Sequence, residues 1–442
     1  MNAESSPSRL SIAQYAFIAL PLSFAGLPLY IHMPDFYTRE FGLGIGMLAT
    51  ILFALRLFDA VQDPIIGYIS DNNTKARFLI LIGGVLALIA GLAGLCFGPQ
   101  FYVPAAIWFA LFMILATTGF SIISININMI GGFWVNDDSQ RARISAWREG
   151  FTLIGLLVAA ILPPVLQKRV TEDLSFVALF VLFAVLMILG TLFFVRFYAA
   201  QKQNFTNTNV SNIAGFSFLK IITGHERLFF FMCFLSYISA SIPAVLVLFF
   251  IRDYLNAESY SGLFLVLYFL SGAVFMAGWI ACAKAKGLYQ TWLAAMVLSV
   301  VTFIGACALQ PGDIWGFGII CIMSGIALGA DLALPPAIIA GRITKNKTQN
   351  EATQYYAMLA FLPKVAMAIA AGGAFLLLDI YGFKAGAENT NKAVTALLLT
   401  YALLPCLIKI FAAAFLWHII KKEGHKNEKT ERNITHGTTR NS

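Results

Sequence analysis

The chain has 442 residues, of which 59% are hydrophobic and 14% aromatic, while only 12% are charged. A soluble domain carries about a quarter charged residues, so this chain has too few charges to cover a water-exposed surface of its size. Composition therefore excludes the soluble, disordered and disulfide-scaffold classes and favours a protein that crosses a membrane many times. The formal net charge of +8 does not indicate a nucleic-acid partner, because the basic residues do not cluster on a soluble module.

Long apolar runs dominate the chain, and they lack the alternation of apolar and polar residues that is typical of barrel strands. Such runs predict helices that cross the bilayer, each needing about 20 residues. The breaks between the runs divide the chain into twelve predicted spans: 12–33, 45–69, 79–98, 104–133, 147–166, 176–198, 228–251, 260–283, 291–309, 314–341, 353–379 and 393–420. The predicted fold is an all-α polytopic membrane protein with twelve transmembrane helices.

The polar stretch that begins at residue 201 separates the first six predicted spans from the last six. The tail is rich in Lys, Asn and Thr and is expected to be disordered. The predicted organisation has an N-terminal six-helix bundle, a cytoplasmic linker, a C-terminal six-helix bundle and a cytoplasmic tail, at residues 1–200, 201–227, 228–420 and 421–442.

The distribution of basic residues predicts the orientation of these spans. Of the 30 Lys and Arg residues, twenty lie on one side of the predicted spans, six lie on the other side, and four lie within spans or at their ends. Loops with an excess of Lys and Arg stay in the cytoplasm. We therefore expect a multi-pass protein of the bacterial inner (plasma) membrane with both termini in the cytoplasm.

The second predicted span contains three charges in the sequence FALRLFDAVQDPIIG. Arg56, Asp59 and Asp63 are spaced three and four residues apart, so they project from one face of the helix. Each would cost about 2.5–3.5 kcal/mol at the centre of a lipid-facing helix, so this face is expected to look into protein or water. Two carboxylates one turn apart suit a small cation, with Na⁺ or H⁺ bound at Asp59 and Asp63. A purely structural pair of Arg56 with Asp59 is the alternative.

Two lysines of the second half also fall inside predicted spans. Lys364 is a candidate electrostatic partner for Asp59 and Asp63, as is Arg56, and it also belongs to the candidate solute pathway. The alternative for Lys364 is a side chain that extends to the membrane interface. Lys409 lies near the inner end of the last span and is expected to extend to the interface in this way.

Three further polar positions are candidates for a transport pathway or gate. Asp331 either lines the pathway or satisfies backbone groups freed by Pro335 and Pro336, which are expected to break or kink their helix. Asn126 is a second candidate pathway residue. Arg148 begins the fifth predicted span, where it either gates the cytoplasmic side or caps the helix.

A short loop, GYISDNNTKAR, follows the charged second span. It places Gly67 and Asp71 one turn apart and continues with Lys75 and Arg77. Such an acidic-then-basic turn can lock the cytoplasmic ends of neighbouring helices, so these four residues are candidate gating residues. A solvated turn is the alternative.

The string from Arg56 to Gly67 resembles the pattern R-x-x-D-A-x-x-D-P-x-x-G of the glycoside–pentoside–hexuronide:cation symporters, which are typified by the melibiose carrier. These symporters belong to the major facilitator superfamily. The loop from Gly67 to Arg77 is similar to the cytoplasmic gating motif of that superfamily. Lys364 matches a lysine that the symporters carry in their eleventh span, and the twelve-span plan extends the resemblance over most of the chain.

The resemblance implies two six-helix bundles and cation-coupled symport of a small polar organic solute by alternating access, with sugars and glycosides as candidate solutes. Asp59 and Asp63 would bind the coupling cation. The chain departs from the pattern at Gln62, where the melibiose carrier has asparagine, and at Ser23 and Ile123, where it has carboxylates that grip sugar hydroxyls.

A proton-coupled exporter of drugs or lipids is the first alternative function, and a membrane sensor that does not transport is the second. An enzyme is not expected, because the chain has no hydrolase or phosphate-binding motif. No cofactor is expected beyond the coupling ion, Na⁺ or H⁺. The expected partners are a small solute and the lipid bilayer, and the chain is expected to be a monomer.

Overall fold

The computed structural model describes residues 7–27, 29, 33–43, 45–73, 76–99, 103–135, 137–167, 172–201, 226–383 and 389–438. Within these ranges the chain is helical and contains no β-strand. The described part contains nine helical segments that are long and apolar enough to cross a membrane. The regions of the first, second and fifth predicted spans are helical as well, while the exact count of twelve membrane crossings stays a prediction.

The described residues of the N-terminal half form eight α-helices, which we number in chain order. They are α1 (Arg9–Ala16), α2 (Ala19–Leu27), α3 (Met33–Glu40), α4 (Ile45–Asn72), α5 (Arg77–Phe97), α6 (Ala105–Phe133), α7 (Asp138–Gln167) and α8 (Glu172–Ala200). The first predicted span is thus two helices, α1 and α2, and α3 is an element that hydropathy did not predict. The linker residues 202–225 lie outside the described residues.

Eight more α-helices follow in the part of the C-terminal half that the structure describes. They are α9 (Arg227–Phe249), α10 (Ser261–Val274), α11 (Met276–Lys286), α12 (Leu288–Phe303), α13 (Ile314–Lys345), α14 (Ala352–Ile380), α15 (Asn391–Leu398) and α16 (Leu404–Thr438). A π-helical turn at Phe250–Tyr254 extends α9, and another at Leu399–Leu403 joins α15 to α16.

Helix α13 continues through Pro335 and Pro336 and is not broken there, while a kink at these residues stays a prediction. A different expectation, about the tail, is wrong. The tail was expected to be disordered from Lys421, but α16 runs on to Thr438. The abundant Lys and Glu residues of that segment have good helix propensity, which explains the continuation.

Small residues allow neighbouring helices to pack closely. A Cβ atom added at Gly91 of α5 would lie 2.5 Å from the backbone nitrogen of Ala116 in α6. A Cβ added at Gly119 of α6 would lie 2.5 Å from the carbonyl oxygen of Gly84. Membrane helices use such small residues because close backbone approach maximises van der Waals contact.

The two halves meet along several helices. Helix α4 packs on α14, and α7 packs on α10, α11 and α13. One hydrophobic core is continuous across the halves and includes Ile66, Ile130, Ala340 and Tyr356. Polar groups buried along these contacts are therefore placed between the halves.

Candidate functional site

Helix α4 places both candidate cation-binding carboxylates inside the protein. Asp59 is 2% exposed and Asp63 is fully buried, as the spacing of the charges predicted for this helix face. The amide Nε2 of Gln62 donates a hydrogen bond to Oδ1 of Asp59 at 2.5 Å. The side chain of Arg56 lies outside the described residues.

Lys364 brings a cation from the C-terminal half to these carboxylates. Its Nζ atom lies 2.9 Å from Oδ1 and 2.9 Å from Oδ2 of Asp63, and it donates a hydrogen bond to Oδ1. The same atom lies 3.7 Å from Oδ1 of Asp59. The ammonium group is thus held inside the protein and does not extend to the membrane interface.

Hydroxyl groups of α6 complete the cluster. Ser121 accepts a hydrogen bond from Lys364 Nζ at 2.9 Å. Thr118, one turn earlier, donates to Oε1 of Gln62 at 2.8 Å. Sequence reasoning missed both residues, although two hydroxyls one turn apart in an apolar span could have indicated a polar helix face.

This cluster offers oxygen atoms of three chemical kinds in a buried setting. Carboxylates, hydroxyls and a side-chain amide are the ligands that hard cations such as Na⁺ prefer. Oδ2 of Asp63 is buried, and within the described residues its charge is balanced by the Lys364 ammonium group at 2.9 Å.

The end of α4 contacts the start of α14, which belongs to the other half. Asp71 Oδ1 accepts a hydrogen bond from the backbone N–H of Thr353 at 2.9 Å, and Oδ2 accepts one from the N–H of Gln354 at 3.0 Å. Because α14 begins at Ala352, these N–H groups belong to its first turn, which has no partner within the helix. A carboxylate also favours the positive end of the helix dipole.

Arg77 reinforces this contact. Its Nη2 atom donates to Oδ1 of Asp71 at 3.4 Å, to the carbonyl of Ser70 at 3.2 Å and to the Thr353 hydroxyl at 3.3 Å. Lys75, the other basic candidate of this loop, lies outside the described residues.

Gly67 lets the two helices approach each other. A Cβ atom at this position would lie 2.7 Å from Cβ of Ala357 and 2.9 Å from Cα of Gln354. We call Gly67, Asp71, Arg77, Thr353 and Gln354 the Asp71 latch. It holds the two halves together at one end of the protein.

A second contact between the halves lies at the same end and was not predicted from the sequence. Arg141 is 2% exposed and donates from Nη2 to the hydroxyl of Thr344 in α13 at 3.0 Å. Its Nη1 atom pairs with Asp138 at 3.0 Å. Both Arg141 and Arg77 thus link the halves through a threonine hydroxyl.

Arg148 does not cap a helix, because α7 begins ten residues earlier at Asp138. Its guanidinium is buried and pairs with Glu149, with Nη2 lying 2.6 Å from Oε1. It also donates to the hydroxyl of Tyr15 at 3.5 Å, and Tyr15 donates to the carbonyl of Ile127 at 2.7 Å. Within the described residues these contacts tie α7 to α1 and α6 of its own half.

Asn126 is fully buried, but its contacts lie away from the cation cluster. Its Nδ2 atom donates to the hydroxyl of Ser70 at 3.2 Å and to the carbonyl of Ile122 at 2.9 Å. The structure thus places Asn126 between α6 and the end of α4. Its Oδ1 atom has no hydrogen-bond partner among the described residues.

Asp331 and Lys409 form a buried pair within the C-terminal half. Lys409 is only 2% exposed, so the expectation that it extends to the membrane interface is wrong. Its Nζ atom lies 2.5 Å from Oδ2 of Asp331 and 2.8 Å from the hydroxyl of Ser236. The ammonium group of Lys409 thus has a carboxylate and a hydroxyl as partners inside the C-terminal half.

Residues 14–420 match the family described as MFS/sugar transport protein. The chain is 28% identical over 153 residues to the inner membrane symporter YicJ of Escherichia coli (strain K12), a match that covers 32% of each chain. It is 24% identical over 415 residues to the uncharacterized symporter YjmB of Bacillus subtilis (strain 168), covering 89% of this chain and 88% of that one. Identity to the zebrafish (Danio rerio) sodium-dependent lysophosphatidylcholine symporter 1-B is 20% over 430 residues, covering 85% and 80%.

Two solved structures show the same fold. A bacterial homologue of the iron transporter ferroportin, in an outward-facing state, has a TM-score of 0.67 at 16% identity and covers 92% of this chain and 100% of that chain. The Escherichia coli fucose:proton symporter FucP has a TM-score of 0.63 at 12% identity and covers 91% of this chain and 97% of that chain.

The fold and the relatives confirm the family resemblance that the sequence motifs suggested. The chain belongs to the MFS/sugar transport protein family and is a secondary active transporter of the symporter type.

Proposed function

We propose that the chain couples the movement of Na⁺ or H⁺ to the import of a small polar organic solute, with sugars and glycosides as the first candidates. Asp59 and Asp63 bind the coupling cation. The protein lies in a bacterial inner membrane with both termini in the cytoplasm, and it works as a monomer. The bundles at 1–200 and 228–420 move relative to each other about the linker at 201–227, and a tail follows from residue 421.

One observation carries this proposal, namely that the Lys364 ammonium group reaches Asp63 from the other half at 2.9 Å. A cation that binds at Asp63 competes with Lys364 for the same carboxylate. Binding therefore weakens a contact between the halves, and the affinity for the cation differs between states of the transporter. Such a difference is what allows a ligand to shift a conformational equilibrium.

The Asp71 latch supports alternating access. Its carboxylate and its guanidinium tie the ends of α4 and α5 to α14, so the protein is closed at this end. Under the proposed orientation this closed end is the cytoplasmic end. Lys364 lies on α14 together with Thr353 and Gln354 of the Asp71 latch, so a movement of α14 would affect both contacts.

The relatives do not choose between the two coupling ions. One is named as sodium-dependent and one structural neighbour as a proton symporter. In this chain, the hydroxyl oxygens of Thr118 and Ser121 beside the carboxylates are ligands of the kind that Na⁺ prefers. Protonation of Asp63 would release Lys364 as well, so the site suits either ion. The relatives do not identify the solute of this chain either, and the family description names sugar transport without a particular sugar.

The test is transport by the purified chain in proteoliposomes with an imposed inward gradient of either Na⁺ or H⁺. The probes are radiolabelled neutral hexoses, pentoses and their methyl glycosides. We expect one gradient to drive accumulation of a probe above equilibrium. Asp59→Asn and Asp63→Asn should each reduce this uphill uptake by at least about 100-fold, which corresponds to about 2.7 kcal/mol of lost coupling.

The matched control is Asp313→Asn, which changes an exposed carboxylate that caps α13, and asparagine caps a helix equally well. Uphill uptake that survives in both binding-site variants would contradict the assignment of the cation site. Solute movement out of the vesicles against its gradient, driven by H⁺, would instead identify the alternative function, a proton-coupled exporter.

A further inference from the structure

A cavity of about 550 Å³ lies in the C-terminal half, between the end of α14 on one side and α15, the following π-helical turn and the start of α16 on the other. Its volume is in the range of ligand pockets, about 300–1,000 Å³. No residue of the cation cluster or of the Asp71 latch lines it. We call it the α14–α16 groove and define it by Leu377, Tyr381, Lys392, Thr400, Leu403 and Leu407.

The groove lies on the outer surface of this half. Leu377 is 38% exposed and Leu407 is 46% exposed, whereas Lys409 is 2% exposed and pairs with Asp331 inside the half. Residues two positions apart on a helix do not share a face, so Leu407 points away from the interior that Lys409 occupies. In a protein that crosses the membrane, such a surface faces the lipid.

The groove has the length of one lipid leaflet. Its far wall belongs to an apolar helical segment long enough to cross the membrane, Asn391–Lys421, and Lys392 lies in the first turn of that segment. Lys392 and Leu407 are 15 residues apart, which corresponds to about 22 Å along a helix. Half of a bilayer with its headgroups measures about 20–22 Å.

The polarity of the groove changes along this length. At one end Lys392 is exposed and Tyr381 is 54% exposed, and tyrosine side chains are enriched where a membrane meets water. Leu403 and Leu407 line the other end. A ligand that matches both ends has a polar head and an apolar chain.

Thr400 supplies a polar group between these two ends. It is 6% exposed and lines the groove, and its hydroxyl makes no hydrogen bond to another described residue. Threonine hydroxyls in helices commonly bond to the preceding turn, so a buried hydroxyl without such a bond is available to a ligand. Thr400 belongs to the π-helical turn Leu399–Leu403, a type of turn that is frequent at functional sites.

We propose that the α14–α16 groove binds one anionic glycerophospholipid of the surrounding bilayer. The phosphate lies at Lys392, an ester carbonyl accepts the hydroxyl of Thr400, and one acyl chain runs along Leu403 and Leu407. This site is separate from the proposed cation site and does not depend on which ion or solute the protein transports.

The charge of the groove favours an anionic headgroup over a zwitterionic one. Among the described residues, no acidic side chain lines the groove and none pairs with Lys392. A phosphate with net negative charge is attracted by the lysine, and the amine of phosphatidylethanolamine would find no carboxylate there.

The wall of the groove also favours a lipid over a helix of a second copy of the chain. Membrane helices pack on each other through small residues that allow close backbone approach. The described wall consists mainly of leucine side chains, and Ala396 is the one small apolar residue in it. Flexible acyl chains fit between such side chains more readily than a rigid helix does.

The test is photolabelling of the purified full chain in phosphatidylcholine nanodiscs that contain a small fraction of phosphatidylglycerol with a diazirine on its acyl chain. Mass spectrometry locates the label after irradiation. We expect labelling concentrated at the α14–α16 groove. Unlabelled phosphatidylglycerol should compete about fivefold better than phosphatidylethanolamine, the effect of one lysine near an anionic lipid. Glycerol 1-phosphate should not compete, because it has no acyl chain.

Two neighbouring leucines of α14 provide a matched pair of variants. Leu377→Trp fills the groove and should reduce labelling there at least about 10-fold. Leu376→Trp adds the same bulk at a position that is 62% exposed and does not line the groove, so labelling should be retained. Thr400→Val keeps the shape of the side chain and should weaken competition by phosphatidylglycerol about 3- to 10-fold, the effect of one hydrogen bond.

Two basic residues at the same end of the protein test the headgroup contact. Lys392→Gln should abolish the preference for phosphatidylglycerol over phosphatidylethanolamine. Arg252→Gln is the control, because Arg252 pairs with Asp253 and lies over Phe249, which packs on Phe383 beyond the end of α14. This control should keep the preference, and both variants should keep the melting temperature of the wild type.

Equal labelling of the groove in Leu377→Trp and Leu376→Trp would overturn the inference. Equal competition by glycerol 1-phosphate would overturn it as well, since it would show a simple anion site. A wild-type dimer in detergent that Leu377→Trp converts to a monomer would show that a second copy fills the groove. A wild type that does not distinguish the two phospholipids would contradict the anionic headgroup. Labelling needs no solute and no ion gradient, so these results are independent of the transport assay.

Discussion

Asp71 accepts a hydrogen bond from the backbone N–H of Thr353 at 2.9 Å, so a carboxylate at the end of α4 caps α14, a helix of the other half. The residue preceding α14, Glu351, makes no capping hydrogen bond with its side chain to that helix. The first turn of α14 therefore obtains its acceptor from across the contact between the halves. This arrangement makes the stability of a helix end depend on whether that end of the transporter is closed.

Replacing this carboxylate should favour opening at the Asp71 end. Asp71→Asn removes the negative charge that receives two backbone N–H groups and an arginine, and each charged hydrogen bond contributes about 1.5–3 kcal/mol. Spin labels at the exposed positions Asn73 and Lys347 would report the distance between the halves. We expect a broader distribution with a longer-distance population in the variant. An unchanged distribution would show that the cap does not hold the end closed.

Adding a methyl group at Gly67 should also favour opening at the Asp71 end, in this case through a steric clash. The new Cβ would lie 2.7 Å from Cβ of Ala357, closer than two carbon atoms can approach, so α4 and α14 must separate. Gly67→Ala should reduce transport and lengthen the same label distance. Gly83→Ala on α5 is the control, because a Cβ there meets no atom within 4 Å. Equal transport by both variants would exclude a role for this close approach.

The pairing of Lys364 with Asp63 should appear in a double-mutant cycle. Lys364→Met leaves the fully buried Asp63 without its basic partner and should destabilise the fold by about 3–5 kcal/mol. Asp63→Asn together with Lys364→Met should recover much of this loss, because neither charge remains. Thermal unfolding in detergent gives the comparison. The same cycle on Arg252 and Asp253, where the arginine side chain is 35% exposed, should give about 1 kcal/mol or less.

A buried ion pair at the end of the linker should stabilise the C-terminal half. Glu226 is 3% exposed and binds the guanidinium of Arg342 and, at 2.6 Å, the amide of Asn346. Arg342 also donates to the hydroxyl of Tyr289 at 2.9 Å. Glu226→Ala should lower the melting temperature strongly, since it removes the carboxylate that binds this partly buried guanidinium, at a cost of about 3–5 kcal/mol.

Arg342→Lys keeps the charge and should produce a smaller decrease, because lysine cannot satisfy the glutamate and the tyrosine with the planar geometry of arginine. If both variants unfold at the wild-type temperature, the pair has no structural role. Intact cation-driven uptake in Arg342→Lys would further show that this pair is not part of the transport site.

The polar features that could be predicted are those that depend on local spacing or on a rare charge. The i, i+4 spacing of Asp59 and Asp63 places them on one face of a helix in any context, and Lys364 is conspicuous as a charge within an apolar run. The spacing of Thr118 and Ser121 gives only a weak signal, because hydroxyl side chains are common in membrane helices and usually bond to their own backbone. Their partners, Gln62 and Lys364, are fixed only by the tertiary fold.

The expectations for Lys409 and for a helix cap at Arg148 failed for a related reason, because local sequence does not show the tertiary fold. Lys409 lies near the end of a span, and its short distance from water favoured extension to the interface, but its partner Asp331 is 78 residues earlier in the chain. The position of Arg148 suggested a helix start, yet α7 begins at Asp138 because its first turns are polar and hydropathy does not detect them. Hydropathy indicates how long an apolar segment is, and not where its backbone is interrupted, as between α10 and α11 at Phe275.

The capping of α14 by a residue 282 positions earlier has a consequence for the solvent. When the Asp71 end opens, the Asp71 carboxylate and the N–H groups of Thr353 and Gln354 lose each other and must be hydrated instead. Each transport cycle therefore hydrates and then dehydrates the first turn of α14. The balance between the closed and open states should then depend on water activity, and an excluded osmolyte such as sucrose should favour the closed end.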